Sequence, residues 1–224
     1  MNTPRGSSVA PQPEPRLGDV LARAPLPAVA SLLALPGRAR GVLLRDWSVK
    51  VARRYGAAML TAVGRELAAP LRAVGDEPTS QAFVPIGLPL ALHVVLAQLA
   101  HSGDFTALRE PLVADGLQQL PALGRVGLRV AGPARILAAS PKLHAALYDK
   151  GRVELEVGAD AELPALRVEG GGLFSEPHWQ AEQLWALDAL MEVCGWPGGW
   201  RAADQPTAVV FHPPGAAAAA NGRG

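Results

Sequence analysis

The feature that most constrains this chain is a change of hydrophobic period near residue 152. From about Leu17 to Ala146, apolar residues recur at helical spacing; from Arg152 they alternate as in a strand, and a helical stretch then returns. Helices followed by strands point to an α+β fold rather than a doubly wound α/β one. The expected architecture is a helical N-terminal half packed on a small antiparallel sheet, with a β-β-α-β C-terminal part.

The clearest helix is predicted from Pro85 to Ala100, where Leu88, Leu92, Val95, Leu96 and Leu99 share one face. Ser102-Gly103-Asp104 breaks it, and Asp104 is a suitable N-cap for the next segment, Phe105 to about Leu120. Two earlier helices are read over Val42–Arg54 and Ala57–Val74, with Gly56 and Gly75 as their C-terminal caps. Ser140-Pro141 supplies an N-cap and first-turn proline for a short helix ending at Gly151. Arg152–Val157 and Ala165–Glu169 alternate strictly and form an antiparallel pair, with Glu154, Glu156 and Arg167 on its wet side. Gly170-Gly171-Gly172 closes the pair. Ser175 caps a last helix reaching Cys194, with Leu184, Leu187, Met191 and Cys194 as its apolar stripe. Gly195 ends that helix, and Thr207–Phe211 is the final strand.

At 224 residues the chain suits one domain with loose ends, large enough to bury about 70% of the surface its unfolded form exposes. The expected division is a disordered arm over 1–16, a linker or short helix over 17–40, one domain over 41–212 and a disordered tail over 213–224. Leu17–Leu35 is apolar but broken by Pro25 and Pro27. The single cysteine, Cys194, excludes a disulfide framework and any multi-cysteine metal site. With 21 basic and 20 acidic residues, net charge marks neither a nucleic-acid nor an anionic-membrane surface. Ala28–Leu35 is the only stretch resembling a secretory core. It lies too far in and ends at Pro36, and no run approaches the ~18 apolar residues of a membrane span. A cytoplasmic location is expected.

Catalytic signatures are missing from the sequence. His93, His101, His144, His178 and His212 are scattered, with no metal spacing and no Cys/His cluster. His93 and His101, eight residues apart, stand about 80° apart around one helix and cannot share a metal. His93 is the candidate ligand-contact histidine, because it flanks the most apolar helix. There is neither a nucleophile elbow nor a phosphate-cradling loop. No catalytic residue, metal or cofactor is assigned. Arg53-Arg54 beside Tyr55, with Lys50 and Arg45 nearby, makes a local basic face, either solvated or meeting an anion or partner. Trp179, Trp185, Trp196 and Trp200 crowd the last quarter. Such density lines a ligand pocket or partner surface, or else packs the last helix onto the sheet.

Between Gly41 and Trp196 the chain resembles a myxobacterial paralogous family of unknown function. Through it, the chain is distantly similar to heme-NO-binding-like and vinyl-reductase-like domains and to Bet-three type TRAPP subunits. The resemblance is carried by Val51-Ala52-Arg53-Arg54-Tyr55-Gly56, Phe83-Val84-Pro85-Ile86 and Ser140-Pro141-Lys142-Leu143-His144. To these are added Leu147-Tyr148-Asp149-Lys150-Gly151-Arg152-Val153-Glu154 and Glu192-Val193-Cys194-Gly195-Trp196. The Tyr-Asp-x-Gly-Arg link is its most specific piece. It implies an α+β domain with helices packed on an antiparallel sheet, often dimerising, used for binding and not for catalysis. Together with the missing catalytic constellations and the tryptophan-rich last quarter, it gives as the leading expectation a non-catalytic, homodimeric module that binds a small apolar ligand or a protein partner in signalling or assembly. A ligand-free scaffold subunit, or a heme-type sensor or enzyme using a lone histidine, are the alternatives. The Tyr-x-Ser-x-Arg signature of the heme-binding relatives does not occur here, nor do the C-terminal cysteines of the vinyl-reductase-like domains.

Overall fold

The computed structural model describes residues 16–69, 82–118, 122–158, 163–196, 199–205 and 208–214. The fold is α+β: a largely helical N-terminal half, then a four-stranded antiparallel sheet with a helix between its strand pairs. Two short helices, α1 (Leu17–Leu21) and α2 (Val29–Leu33), flank the proline-broken stretch. Strand β1 (Arg38–Arg40), a 3-10 turn (Gly41–Leu44), α3 (Trp47–Tyr55) and α4 (Ala57–Glu66) come next along the chain. After them stand β2 (Phe83–Pro85), α5 (Leu88–His101), a 3-10 turn (Phe105–Leu108), α6 (Arg109–Gln118) and α7 (Ala122–Leu147). The C-terminal part holds β3 (Arg152–Glu156), β4 (Ala165–Glu169), α8 (Pro177–Val193), β5 (Arg201–Gln205) and β6 (Ala208–His212).

Helix α5 is the core helix its composition demands. Leu88, Leu92, Val95 and Leu96 of the expected stripe are buried, and so are Leu90, Ala91, Val94 and Ala97 on its other sides, whereas Leu99 is 42% exposed. Such a helix must be covered on more than one face. It starts at Leu88 rather than Pro85 because Pro85 is paired with Arg38 in the small β1–β2 sheet. It ends at Ser102 in the left-handed region. Asp104 does cap the next segment: its Oδ1 accepts the Thr106 backbone N–H at 2.9 Å, opening the 3-10 turn that leads into α6. Gly56, at φ +87, separates α3 from α4 as its position suggested. The expected continuation of α4 toward Val74 and Gly75 runs outside the described residues.

Two expectations are corrected. Ser140-Pro141 does not start a helix but lies inside α7, whose break comes at Gly132 (φ +73, ψ 160), with Pro133 in the turn just after it. Leu137 and His144, seven residues apart, are both buried across the Pro141 position, so packing holds the helix through a proline that local preference would use as a start. Ser175 belongs to a 3-10 turn (Gly172–Ser175), and Glu176, in extended backbone before Pro177, is the residue at the cap of α8.

The sheet order is β3-β4-β6-β5. The predicted strand pair has the register Glu154↔Arg167 and Val153↔Val168. Its wet face carries a charge ladder in which Arg167 meets Glu169 at 2.8 Å and Glu156 at 3.3 Å, and Arg152 meets Glu169 at 2.7 Å. The final strand, β6, is buried from Ala208 to Phe211 because β4 and β5 pair with it on both sides. Strand β5, not predicted from the sequence, makes the C-terminal part β-β-α-β-β. Arg-Ala-Ala-Asp-Gln has no β-branched or aromatic residue to announce a strand, and only the open edge of β6 makes it one.

The Tyr-Asp-x-Gly-Arg link is structural. Asp149 accepts the Arg38 backbone N–H at 2.6 Å and its guanidinium at 2.9 Å, and Ala39 bridges to Tyr148, so β1 is fastened to the α7–β3 junction. His144 Nε2 donates to the Lys150 carbonyl at 3.1 Å. Gly151 has φ +73, and a Cβ there would lie 2.6 Å from the Glu169 carbonyl oxygen. Gly151→Ala is expected to lose about 2–3 kcal/mol of stability by urea titration, combining backbone strain with overpacking. The Arg38 backbone N–H, then its guanidinium, holds the Asp149 carboxyl below the usual range. Its stabilisation is complete above the unfolded pKa of about 4 and is lost as pH falls through the lower folded value. The urea midpoint of the wild type should therefore drop more between pH 6 and pH 3 than that of Asp149→Asn. Equal drops would show that the bond is not coupled to folding.

Candidate functional site

A cavity of about 180 Å³ opens between α3, α5 and α6. Its apolar wall is made by Leu43, Val51, Leu92, Leu96, Leu108 and Leu112. These come from the 3-10 turn before α3, from α3 itself, from the inward side of α5, and from the segment through the second 3-10 turn into α6. Arg45, Lys50, Arg54, Tyr55, His93 and Asp115 supply the polar part, and Trp47 and Pro111 complete the lining.

His93 is half-buried on α5, and its Nδ1 lies 2.6 Å from Oε1 of Glu182 on α8. A carboxylate only accepts, so Nδ1 carries the proton of that bond. Nε2 is left as an acceptor when the ring is neutral and a donor when it is charged. Among the described residues Nε2 has no hydrogen-bond partner. Tyr55 contributes its ring to the cavity and its hydroxyl to His101 Nε2 at 3.1 Å, the two rings meeting edge-on with centroids 5.7 Å apart. Burial pushes the Tyr55 hydroxyl pKa up. His93 and His101 thus serve different partners on different sides of α5, as their angular separation requires.

The basic face read in the sequence borders this cavity. Asp115 takes Arg54 at 3.2 Å and Arg53 at 3.5 Å. Lys50 Nζ donates to the Arg45 carbonyl at 3.1 Å. Among the described residues, no carboxylate lies within ion-pair distance of the Arg45 or Lys50 side chains. A second hollow, of about 420 Å³, is lined by Arg16, Arg109, Trp185, Asp188 and Glu192 among others. There the charges satisfy one another: Arg16 meets Asp188 at 3.3 Å and Glu192 at 3.2 Å, and Arg109 meets Asp19 at 3.1 Å.

The tryptophans lie mainly in the core, and Trp185 also lines the second hollow. Trp179, Trp185 and Trp200 are 2–4% exposed, and Trp196 is only partly buried against the same core. Trp179 packs edge-on to Phe174 at 5.0 Å and against Phe211 at 6.3 Å, joining α8 to β6. Trp185 stacks on Phe105 at 6.0 Å and donates its indole N–H to Asp19 at 3.0 Å. Their burial has a simple cause. Large rings on α8 and just beyond it meet the sheet on one side and α1 on the other, and burying them gains more than exposing them. Cys194 is a half-buried thiol near the Leu128 carbonyl, its pKa pushed up by burial. His178 is fully buried, with Nδ1 3.0 Å from Glu176 and the ring edge-on to Phe105.

Of the residues the sequence singled out, the cavity gathers His93 and the basic face around Tyr55. What sequence reasoning missed is the wall: Leu43, Leu108, Leu112 and Asp115 carried no signal apart from helical periodicity. Among the described residues, no group of three or more His, Cys, Asp or Glu side chains could hold a metal ion. No protein-family model, curated protein or solved structure matches this chain.

Because Trp185 is packed between Phe105 and α1, Trp185→Ala is expected to cost about 3–5 kcal/mol in chemical unfolding. A loss below about 1 kcal/mol would contradict its assignment to the core.

Proposed function

We propose that this chain is a non-catalytic binding module whose cavity between α3, α5 and α6 takes a small, mainly apolar ligand. The observation that carries this reading is the pairing, in one lining, of a leucine-rich wall with His93, an imidazole fixed through Nδ1 by Glu182. Ligand sites are commonly built this way, with apolar walls and a few placed polar groups. A volume of about 180 Å³ sets the scale. An engineered apolar cavity of about 150 Å³ holds benzene, whereas drug-sized ligands occupy about 300–1,000 Å³. A single ring or a short chain fits that volume.

The family resemblance supports the same reading and adds to it a homodimer; a role in signalling or assembly, and a cytoplasmic location, are proposed with it. Among the described residues, no helix is long and apolar enough to cross a membrane. A ligand-free scaffold has narrower support: Val130, Leu143 and Val157 are exposed apolar side chains that a partner protein would cover. The heme-sensor reading of His93 has its free Nε2 in its favour, but a porphyrin exceeds the cavity beside that ring.

The test is a thermal-shift and NMR titration with 1-hexanol, a neutral six-carbon probe, on the wild type and on Leu112→Trp, which fills the cavity. Hexanol should raise the Tm of the wild type and shift resonances of α3, α5 and α6, and should do neither in a folded Leu112→Trp variant. Binding that persists in the filled variant, or no binding to the wild type, would sink the reading.

A further inference from the structure

The cavity carries one feature that an apolar guest leaves unused. Three cationic side chains, Arg45, Lys50 and Arg54, line it against a single carboxylate, Asp115. That carboxylate is already held between Arg53 and Arg54. Glu182, which is not part of the lining, is held by His93 Nδ1 at 2.6 Å. Among the described residues no carboxylate lies within ion-pair distance of Arg45 or Lys50; Asp46, beside Arg45 and four residues before Lys50 at the start of α3, is paired with neither. Arg45 and Lys50 are placed together by the start of α3, where the Lys50 ammonium turns back to the Arg45 carbonyl at 3.1 Å. Arg45 is exposed and Lys50 half-buried, beside the partly exposed Leu43, so the two cations sit at the rim while Leu92, Leu96 and Leu108 are buried deeper in the wall. The second hollow, by contrast, closes its charges on itself through Arg16, Asp188 and Glu192.

Resting on the reading of this cavity as the binding site, we propose that its ligand is a small organic carboxylate. The short apolar body lies against the leucine wall, and the carboxylate lies at the rim against Lys50 and Arg45. Charge-assisted hydrogen bonds from ammonium or guanidinium to a carboxylate are shorter and stronger than neutral ones. At a rim shielded on one side by leucines they are screened less than on an open surface. No proton transfer or covalent step is involved: the anion is bound, and its apolar chain leaves water.

The experiment is a calorimetric titration of the full chain with hexanoate and, separately, with 1-hexanol, at about 50 mM and about 500 mM NaCl, a range over which screening strengthens severalfold. It is repeated on the double variant Arg45→Met, Lys50→Met. Hexanoate is expected to bind about tenfold more tightly than hexanol at low salt, about 1.4 kcal/mol, and to lose most of that margin at high salt. The double variant is expected to bind the two probes about equally, and retained hexanol binding will show that the cavity still takes an apolar guest. Equal affinities for the two probes in the wild type would overturn the carboxylate while leaving the apolar site standing. So would a preference for hexanoate that survives loss of both cations. If neither probe binds the wild type, the cavity itself is not a ligand site and both readings fall.

Discussion

The interior position of α8 is the constraint on which the rest of the fold depends. Nine of its seventeen residues are buried, from His178 to Met191, so the helix must be covered along several faces. Its neighbours are arranged to do that. Trp185 requires α1 to come close at Gly18, where an added Cβ would lie 2.9 Å from the indole. Trp179 requires the Phe174 turn and β6. Asp188 is buried as well, and its charge is met by the Gly199 N–H at 2.7 Å, the Trp200 N–H at 3.3 Å and Arg16 at 3.3 Å. A buried carboxylate is tolerated only when so surrounded. Arg16, just before α1, and Gly199 and Trp200, just before β5, are thereby tied to one side chain.

Polar groups in this protein divide into two kinds. Asp19, Asp149 and Asp188 are structural, each linking elements distant in sequence: α1 to α8 and α6, β1 to the α7–β3 link, and α8 to the segment entering β5. Their lone pairs are used within the chain. Two groups around the cavity are only half used. His93 commits one nitrogen to Glu182, and Lys50 commits one donor to a carbonyl. Partly satisfied groups beside an apolar wall are what a ligand can complete, because binding then replaces water on both the polar and the apolar part of the guest.

Much of the fold was legible locally. Strict alternation in Arg152–Val157 and Ala165–Glu169 fixed not only two strands but the side on which Glu154, Glu156 and Arg167 would meet. The Asp104 cap and the Gly56 break were visible because capping and left-handed geometry depend on one or two residues. Three things were not legible. Strand β5 has no strand-like composition and exists because β6 needed a partner. Ser140-Pro141 looked like a start, but Leu137 and His144 hold the helix across it. The tryptophans looked as much like a surface as a core, since ring count does not say which side of an element is covered. For the candidate site, His93 and the basic face were visible as residue types, whereas the wall that makes them a cavity was not.

The sequence by itself determined the local terms: the helical half, the wet and dry faces of the strand pair, the caps, and the positions of charge along α3. Each arises from periodicity or from the conformational preference of a few neighbouring residues. Only the tertiary structure decided what those terms were for. Glu182 reaches His93 across 89 residues, and Asp115 reaches Arg54 across 61. Such contacts depend on how helices pack, which is settled by filling the interior around α5 and α8 and not by any local pattern. That packing buried the indoles and left a small hollow rimmed by Arg45 and Lys50.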